Sequence, residues 1–179
     1  WSARSVTAMK RLLVVIVLTV AVSCGTDPLS ACFGEVDESL DCSYQDFGSV
    51  DLSDRNLRNI DLSNADLRGA NLTEALLVGA NLIGADLAGT NLYGADLSGA
   101  NLAYADLAYA DLSGANLTGS NLTGASLRGK DLAEADLAEA DLAEADLAEA
   151  DLAHADLAYA DLSGADLAYA DLYGADLAG

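Results

Sequence analysis

The sequence predicts a solenoid whose chain turns a corner at every fifth residue. Leucine occupies every fifth position from Leu52 to Leu177 without exception, which places 26 leucines in one phase, and Phe47 and Cys42 extend that phase backwards. The repeated unit is Ala, then Asp or Asn, then Leu, then two variable residues. A chain that turns once per unit can direct every leucine into one narrow, close-packed interior.

A period of five suits neither a regular helix nor a regular strand. In an α-helix each leucine would be rotated by about 140° from the last, which leaves no apolar face to bury. In a strand an odd period places successive leucines on opposite faces. The helix keeps one argument, because late units such as 131–135 consist mostly of strong helix formers.

The unit A-(D/N)-L-x-x resembles the motif of the pentapeptide-repeat family over residues 40–179. The resemblance implies an all-β fold, a right-handed quadrilateral β-helix with four repeats in each coil. Residues 40–179 would then form about seven coils, each supported mainly by its neighbours.

Each position of the unit has an expected orientation. The leucine and the usually small residue two before it should face inward, so that large side chains alternate with small ones. The residue two after the leucine is usually glycine between Gly69 and Gly129. Glycine there suits the third position of a type II turn, which needs a positive φ, and Asn59 and Asn64 can adopt the same conformation.

Four residues depart sharply from the repeat. Gln45, Arg55 and Lys130 stand at the small inward position, and Leu76 stands at the acidic one. A buried charge without a partner is costly. Arg55 and Lys130 therefore predict either a local bulge or a side chain that reaches solvent.

Residues 1–23 are predicted to be upstream sequence followed by a signal peptide. A basic segment at Met9–Arg11 precedes an apolar run, Leu12–Val22, that is too short to span a bilayer as a helix. A buried strand is the alternative. The segment Ala21–Cys24 resembles the lipobox of bacterial lipoproteins, although alanine replaces the usual leucine at its first position. The resemblance implies that Cys24 carries lipid and anchors the mature chain in a membrane; an ordinary secretory signal is the alternative.

Residues 24–39 are predicted to be the lipidated N-terminus and a tether into the repeats. Cys32 and Cys42 are candidates for a disulfide, because two cysteines in an exported domain can bridge a small loop. Cys42 also lies in the leucine phase, so it could instead fill the core as a free thiol.

The exterior is expected to be strongly acidic. From Cys24 onward the chain has 29 acidic and five basic residues, a net charge of −24. Because residues 20 apart should stack, the acids form ladders, including Asp131, Asp151 and Asp171. Three interpretations remain open: a solvated surface that keeps the rod soluble, weak Ca²⁺ or Mg²⁺ binding between stacked carboxylates, and a mimic of duplex DNA.

The last interpretation comes from the resemblance, because some pentapeptide-repeat proteins are acidic rods that occupy the DNA site of gyrase. The predicted export signal opposes it, since gyrase is cytoplasmic. Nucleic acid itself is disfavoured as a partner by the sign of the charge.

The function predicted from these features is a non-enzymatic, membrane-anchored scaffold on the non-cytoplasmic side of the bacterial envelope, with no cofactor. The alternative is a rod that binds gyrase. The protein partner is not specified by the sequence, and an uncapped end of the solenoid would allow a homodimer. The outward turn residues are the candidate interaction surface: Glu134, Glu139, Glu144, Glu149, Tyr109, Tyr159 and Tyr169.

Overall fold

A computed structural model describes Cys32 and residues 40–179. The predicted signal peptide, Cys24 and the rest of the tether lie outside the described residues. Within the described part of the chain there is neither a helix nor a strand longer than one residue. The regular structure consists instead of isolated parallel β-bridges, which run from Asp41↔Asp61 to Asp156↔Asp176. None of the described segments forms a helix that could cross a membrane.

Each bridge joins a residue to the one 20 positions further along the chain. One turn of the solenoid, here called a coil, therefore takes four repeat units. A single column of bridges passes through 41, 61, 81, 101, 121, 141 and 161. The four-unit register expected from the sequence is confirmed, and the residues of each column lie one above another.

The interior is a stack of leucines and alanines. Leucines such as Leu67, Leu97 and Leu147 have no exposed surface, and the alanines two residues before them are almost as deeply buried. The predicted alternation of large and small inward side chains is therefore correct. At about 2 kcal/mol for each buried leucine, these side chains make a large favourable contribution to folding.

A tight turn follows each inward leucine from Leu52 to Leu172. The backbone N–H three residues on donates to the leucine carbonyl, as from Ala65 to Leu62 at 3.0 Å. The residue two after the leucine has a positive φ in every unit from Tyr44 to Gly174, including Asn59 and Asn64. The positive φ predicted from the glycines is confirmed. Non-glycine residues such as Glu134 (φ 60°) adopt it too, because the turn is imposed by the repeat on either side.

A disulfide closes the first coil. Cys32 and Cys42 are bonded with a Cα–Cα distance of 4.7 Å, which is within the usual range. The side chain of Cys42 is fully buried in the leucine phase, and Cys32 packs against the core from the tether. Both properties considered for Cys42 therefore occur together: it fills the core and it is bridged.

The irregular inward residues have different consequences. Gln45 and Arg55 are only partly buried, and the coil-to-coil hydrogen bonds at both residues are intact. Lys130 is buried, with 7% of its surface exposed. Beside it, within the described residues, Asp111 and Asp131 do not form the β-bridge that the register predicts. Of the two charged exceptions, Lys130 is therefore the one at which the expected bulge forms.

Candidate functional site

The Asp and Asn residues that form the exterior columns each accept a hydrogen bond that stabilises the turn of their own repeat. In each repeat with Asp or Asn before the leucine, Oδ1 of that residue accepts from the backbone N–H two positions on. Asp161 accepts from Ser163 at 2.9 Å, and Asn91 accepts from Tyr93 at 3.0 Å. The same bond recurs from Asp41 to Asp176. We call these residues the caps.

The cap bond explains the Asp-or-Asn position of the motif. Both residues present an acceptor oxygen at the same reach, so both can form this local turn. Sequence reasoning treated the position only as a source of charge and missed its role in the turn. The interchange of Asp and Asn was the available signal. Leu76 shows that one cap is dispensable, because its bridges to Asn56 and Asp96 remain.

Hydroxyl groups strengthen several of the caps. Ser113 Oγ donates to Asp111 Oδ1 at 2.7 Å, beside the backbone bond from the same residue. The hydrogen bond from the Ser113 hydroxyl, followed by that from its backbone, lowers the pKa of Asp111. The pKa of Asp51 is lowered by the equivalent bonds from Ser53. These carboxylates are thus held in the charged form in which they accept best.

The weak metal candidates are not gathered into a site. Asp131, Asp151 and Asp171 each accept from their own turn, at 3.2, 3.0 and 2.9 Å. Bridges place them in one column as expected. Among the described residues, no group of three or more potential ligands is arranged to hold a metal ion.

Replacing a cap should separate its structural role from its charge. Asp151→Ala removes the acceptor for the Ala153 N–H, and we expect it to lower the free energy of unfolding by about 1 kcal/mol. Asp151→Asn keeps the acceptor and removes one charge from a column of carboxylates, so its stability should equal or exceed that of the wild type. Urea unfolding of both variants measures the difference. Equal losses in the two variants would mean that charge, and not the bond, is what matters at the cap.

Two arginines, Arg68 and Arg128, neutralise one acidic column in part. Arg128 pairs with Asp146 at 3.1 Å and with Glu149 at 3.3 Å. Arg68 pairs with Asp66 and, at 3.5 Å, with Asp86. The hydrogen bond from Arg68 lowers the pKa of Asp66. These exposed pairs contribute little to stability, but they lie in the column of Asp66, Asp86, Asp146 and Asp166 and reduce its negative charge.

The predicted interaction residues lie at the corners of the coils and do not converge. The four glutamates are exposed at successive corners of one coil, so they surround the rod without forming one patch. Tyr109 and Tyr169 share a corner column at 90% and 93% exposure, with Gly129 and Glu149 between them. Tyr159 is exposed on a different corner. The structure therefore offers separate contact points and not a continuous aromatic surface.

Side chains at the corners lean over the coil that follows. The ring of Tyr104 lies 2.7 Å from where a Cβ on Gly124 would be, and the ring of His154 lies 2.5 Å from the same point on Gly174. His154 also packs edge-on against Tyr173, with ring centroids 5.3 Å apart. Glycine at these two corners therefore provides space as well as a positive φ.

Comparison with known proteins assigns the repeat to a family. The family model described as "Pentapeptide repeats" matches residues 46–82, 80–119, 115–149 and 145–179. The chain belongs to the pentapeptide repeat family. Proteins of this family are generally structural or interaction proteins. No curated protein sequence matches the chain.

The fold is similar to that of a solved pentapeptide repeat structure. QnrB1, a plasmid-mediated fluoroquinolone resistance protein, is 20% identical over 77% of this chain and 72% of its own, with a TM-score of 0.65. That similarity, with the family match, implies a right-handed quadrilateral β-helix. HetL from Nostoc, involved in heterocyst differentiation regulation, is 37% identical over 75% of each chain, with a TM-score of 0.41. A protein of the Arabidopsis thaliana thylakoid lumen is 30% identical over 60% of this chain and 68% of its own, with a TM-score of 0.40.

Proposed function

We propose that this pentapeptide repeat protein is an exported, lipid-anchored scaffold of the bacterial cell envelope. The observation that carries the proposal is the Cys32–Cys42 disulfide at the base of the rod. Disulfides persist in oxidising compartments and are rare in the cytoplasm. The apolar run and the lipobox-like segment that ends at Cys24 support the same compartment from sequence.

The exterior of the rod supports a binding role in place of catalysis. The caps fix the backbone through one oxygen, while the corner residues project outward. Every cap from residue 131 onward is Asp, whereas the earlier repeats mix Asp with Asn. The upper coils therefore carry the densest negative charge, which suits contact with a basic protein surface. In this proposal the anchor holds the rod on the non-cytoplasmic side of the membrane, where the rod binds protein partners whose identity is unknown.

The anchor is tested by labelling the full chain with radioactive palmitate in a bacterial host. The wild type should be labelled and should fractionate with membranes, whereas Cys24→Ala should lose both properties. Cys32→Ala is the matched control, because it removes another cysteine outside the lipobox and should still be labelled. Unaltered labelling of Cys24→Ala would exclude the lipoprotein assignment.

Mimicry of duplex DNA at gyrase is the second candidate, and the concentration of Asp caps in the upper coils favours it. It is tested in a supercoiling assay with the unlipidated chain carrying Cys24→Ser. A matched variant replaces every Asp cap from 131 to 176 with Asn, which removes charge while retaining the cap bonds. Inhibition by the first protein alone supports mimicry. Absence of inhibition at micromolar protein removes it and leaves the envelope proposal.

A further inference from the structure

The coil-to-coil hydrogen bonds are interrupted along one side of the rod. In a regular pair of coils, the backbone N–H groups on this side donate to carbonyls of the next coil at 2.7–3.0 Å, as do those of Leu87, Gly89, Leu92 and Gly94. One coil higher, the equivalent N–H groups make no backbone bond in the described structure; they belong to Leu107, Tyr109, Leu112 and Gly114. On the same side, the N–H groups of Asp131 and Asp136 make no backbone bond to the preceding coil in the described part of the structure. We call this gap the seam; it lies between residues 107–115 and 126–136.

The opposite side of the same coil pair remains closed. Leu102 N–H donates to Asn121 at 2.7 Å, and Tyr104 N–H donates to Thr123 at 2.9 Å. Leu117 N–H donates to Asp136 at 2.9 Å. Because bonds are retained on two adjacent sides and lost on the other two, the coils are spread like a wedge instead of being separated.

Lys130 lies at the open side of the wedge, in the seam. It stands at the small inward position, where Ala110 lies below it and Ala150 above it. Its Nζ lies 5.5 Å from the centroid of the Tyr109 ring, which is on the exterior. The lysine side chain must therefore pass outward between the two coils. Ala110 is the most exposed alanine of the core, at 9%, as expected beside such an opening.

The tyrosines at two neighbouring corners report the seam independently. At the closed corner the ring of Tyr104 leans over Gly124, as described above. At the seam nothing lies within 4 Å of a Cβ built on Gly129, although Tyr109 stands one coil below it. Tyr109 instead faces the Lys130 ammonium, an arrangement in which the aromatic face attracts the cation. Burial lowers the pKa of Lys130, which agrees with a position inside the gap.

We propose that the rod consists of two stacks of coils, 40–119 and 120–179, joined by a hinge that Lys130 wedges open. The retained bonds at Leu102 and Leu117 form the hinge, and the seam forms its mouth. Opening and closing of the mouth bends the rod and changes the angle between the lower coils and the densely acidic upper coils. This property is independent of the anchor and of any partner.

Amide hydrogen exchange resolved by residue, measured on the whole chain, tests the hinge. Leu107, Tyr109, Leu112 and Gly114 should exchange roughly a hundredfold faster than Leu87, Gly89, Leu92 and Gly94, since local opening exposes them without global unfolding. Lys130→Ala restores the consensus residue and should slow the seam amides to the rate of the coil below. Equal protection of the two sets in the wild type would overturn the proposal.

Two further variants separate bulk from charge at the seam. Lys130→Met keeps a long side chain without the ammonium, so its seam amides should remain fast. Arg128→Ala removes an exposed charge two residues away and retains Lys130, so it should also leave them fast. Slow exchange in either variant would contradict a wedge formed by the length of the Lys130 side chain.

Discussion

Leu77→Ala is expected to lower the free energy of unfolding by about 2–5 kcal/mol, the usual cost of a buried Leu→Ala change. Leu77 has no exposed surface, and its backbone N–H donates to Asp96 of the next coil at 2.7 Å. Alanine there leaves a cavity that the coils above and below cannot fill, because their own inward positions are already occupied. Urea unfolding followed by circular dichroism measures the loss.

Leu177→Ala is the matched control for this change, because Leu177 lies in the same column and is 54% exposed. Its loss should be below about 1 kcal/mol, in proportion to the smaller area removed from water. Similar losses for the two variants would show that the leucine column does not carry the stability of the rod.

Cys32→Ala is expected to lower the free energy of unfolding by about 2–4 kcal/mol, the typical contribution of a native disulfide. The bridge closes a loop of sequence separation 10 and holds the tether against the first coil. Reduction of the wild type should produce the same loss in a urea titration. Cys42→Ala should lose more, because it also removes a fully buried side chain from the core.

The variant itself provides the control for reduction. A reducing agent should not change the unfolding of Cys32→Ala, since no bridge remains to be broken. If the wild type is equally insensitive, the disulfide contributes nothing to stability, and its support for an oxidising compartment is weakened.

Much of the fold could be predicted because the repeat fixes it locally. The phase of the leucines determined the interior, and Gly69 to Gly129 indicated where φ is positive. The period of five argued against regular strands as well as against a regular helix. The structure has single-residue bridges instead, because a turn in every five residues leaves no room for a longer extended segment.

The finer features depend on neighbours that a single repeat does not contain. Arg55 and Lys130 are equivalent in sequence, yet Arg55 leaves the ladder intact and Lys130 interrupts it. Lys130 lies between complete coils and near Tyr109, whereas Arg55 lies in the first coil. The cap bonds were missed for a different reason. The sequence was interpreted through the charge of Asp, although the occurrence of uncharged Asn at the same position indicated that the shared acceptor oxygen is what the turn requires.

The register of four units per coil has a consequence for how such a gene can change in length. Duplication or deletion of one pentapeptide would leave every leucine inside, so the fold would survive. All residues beyond the change would nevertheless be rotated by a quarter of the circumference, and each column on the exterior would be broken at that point. Only changes by whole multiples of 20 residues preserve the alignment of surface charges. Close homologues that differ in length should therefore differ by such multiples wherever the surface residues on one side of the rod are under selection.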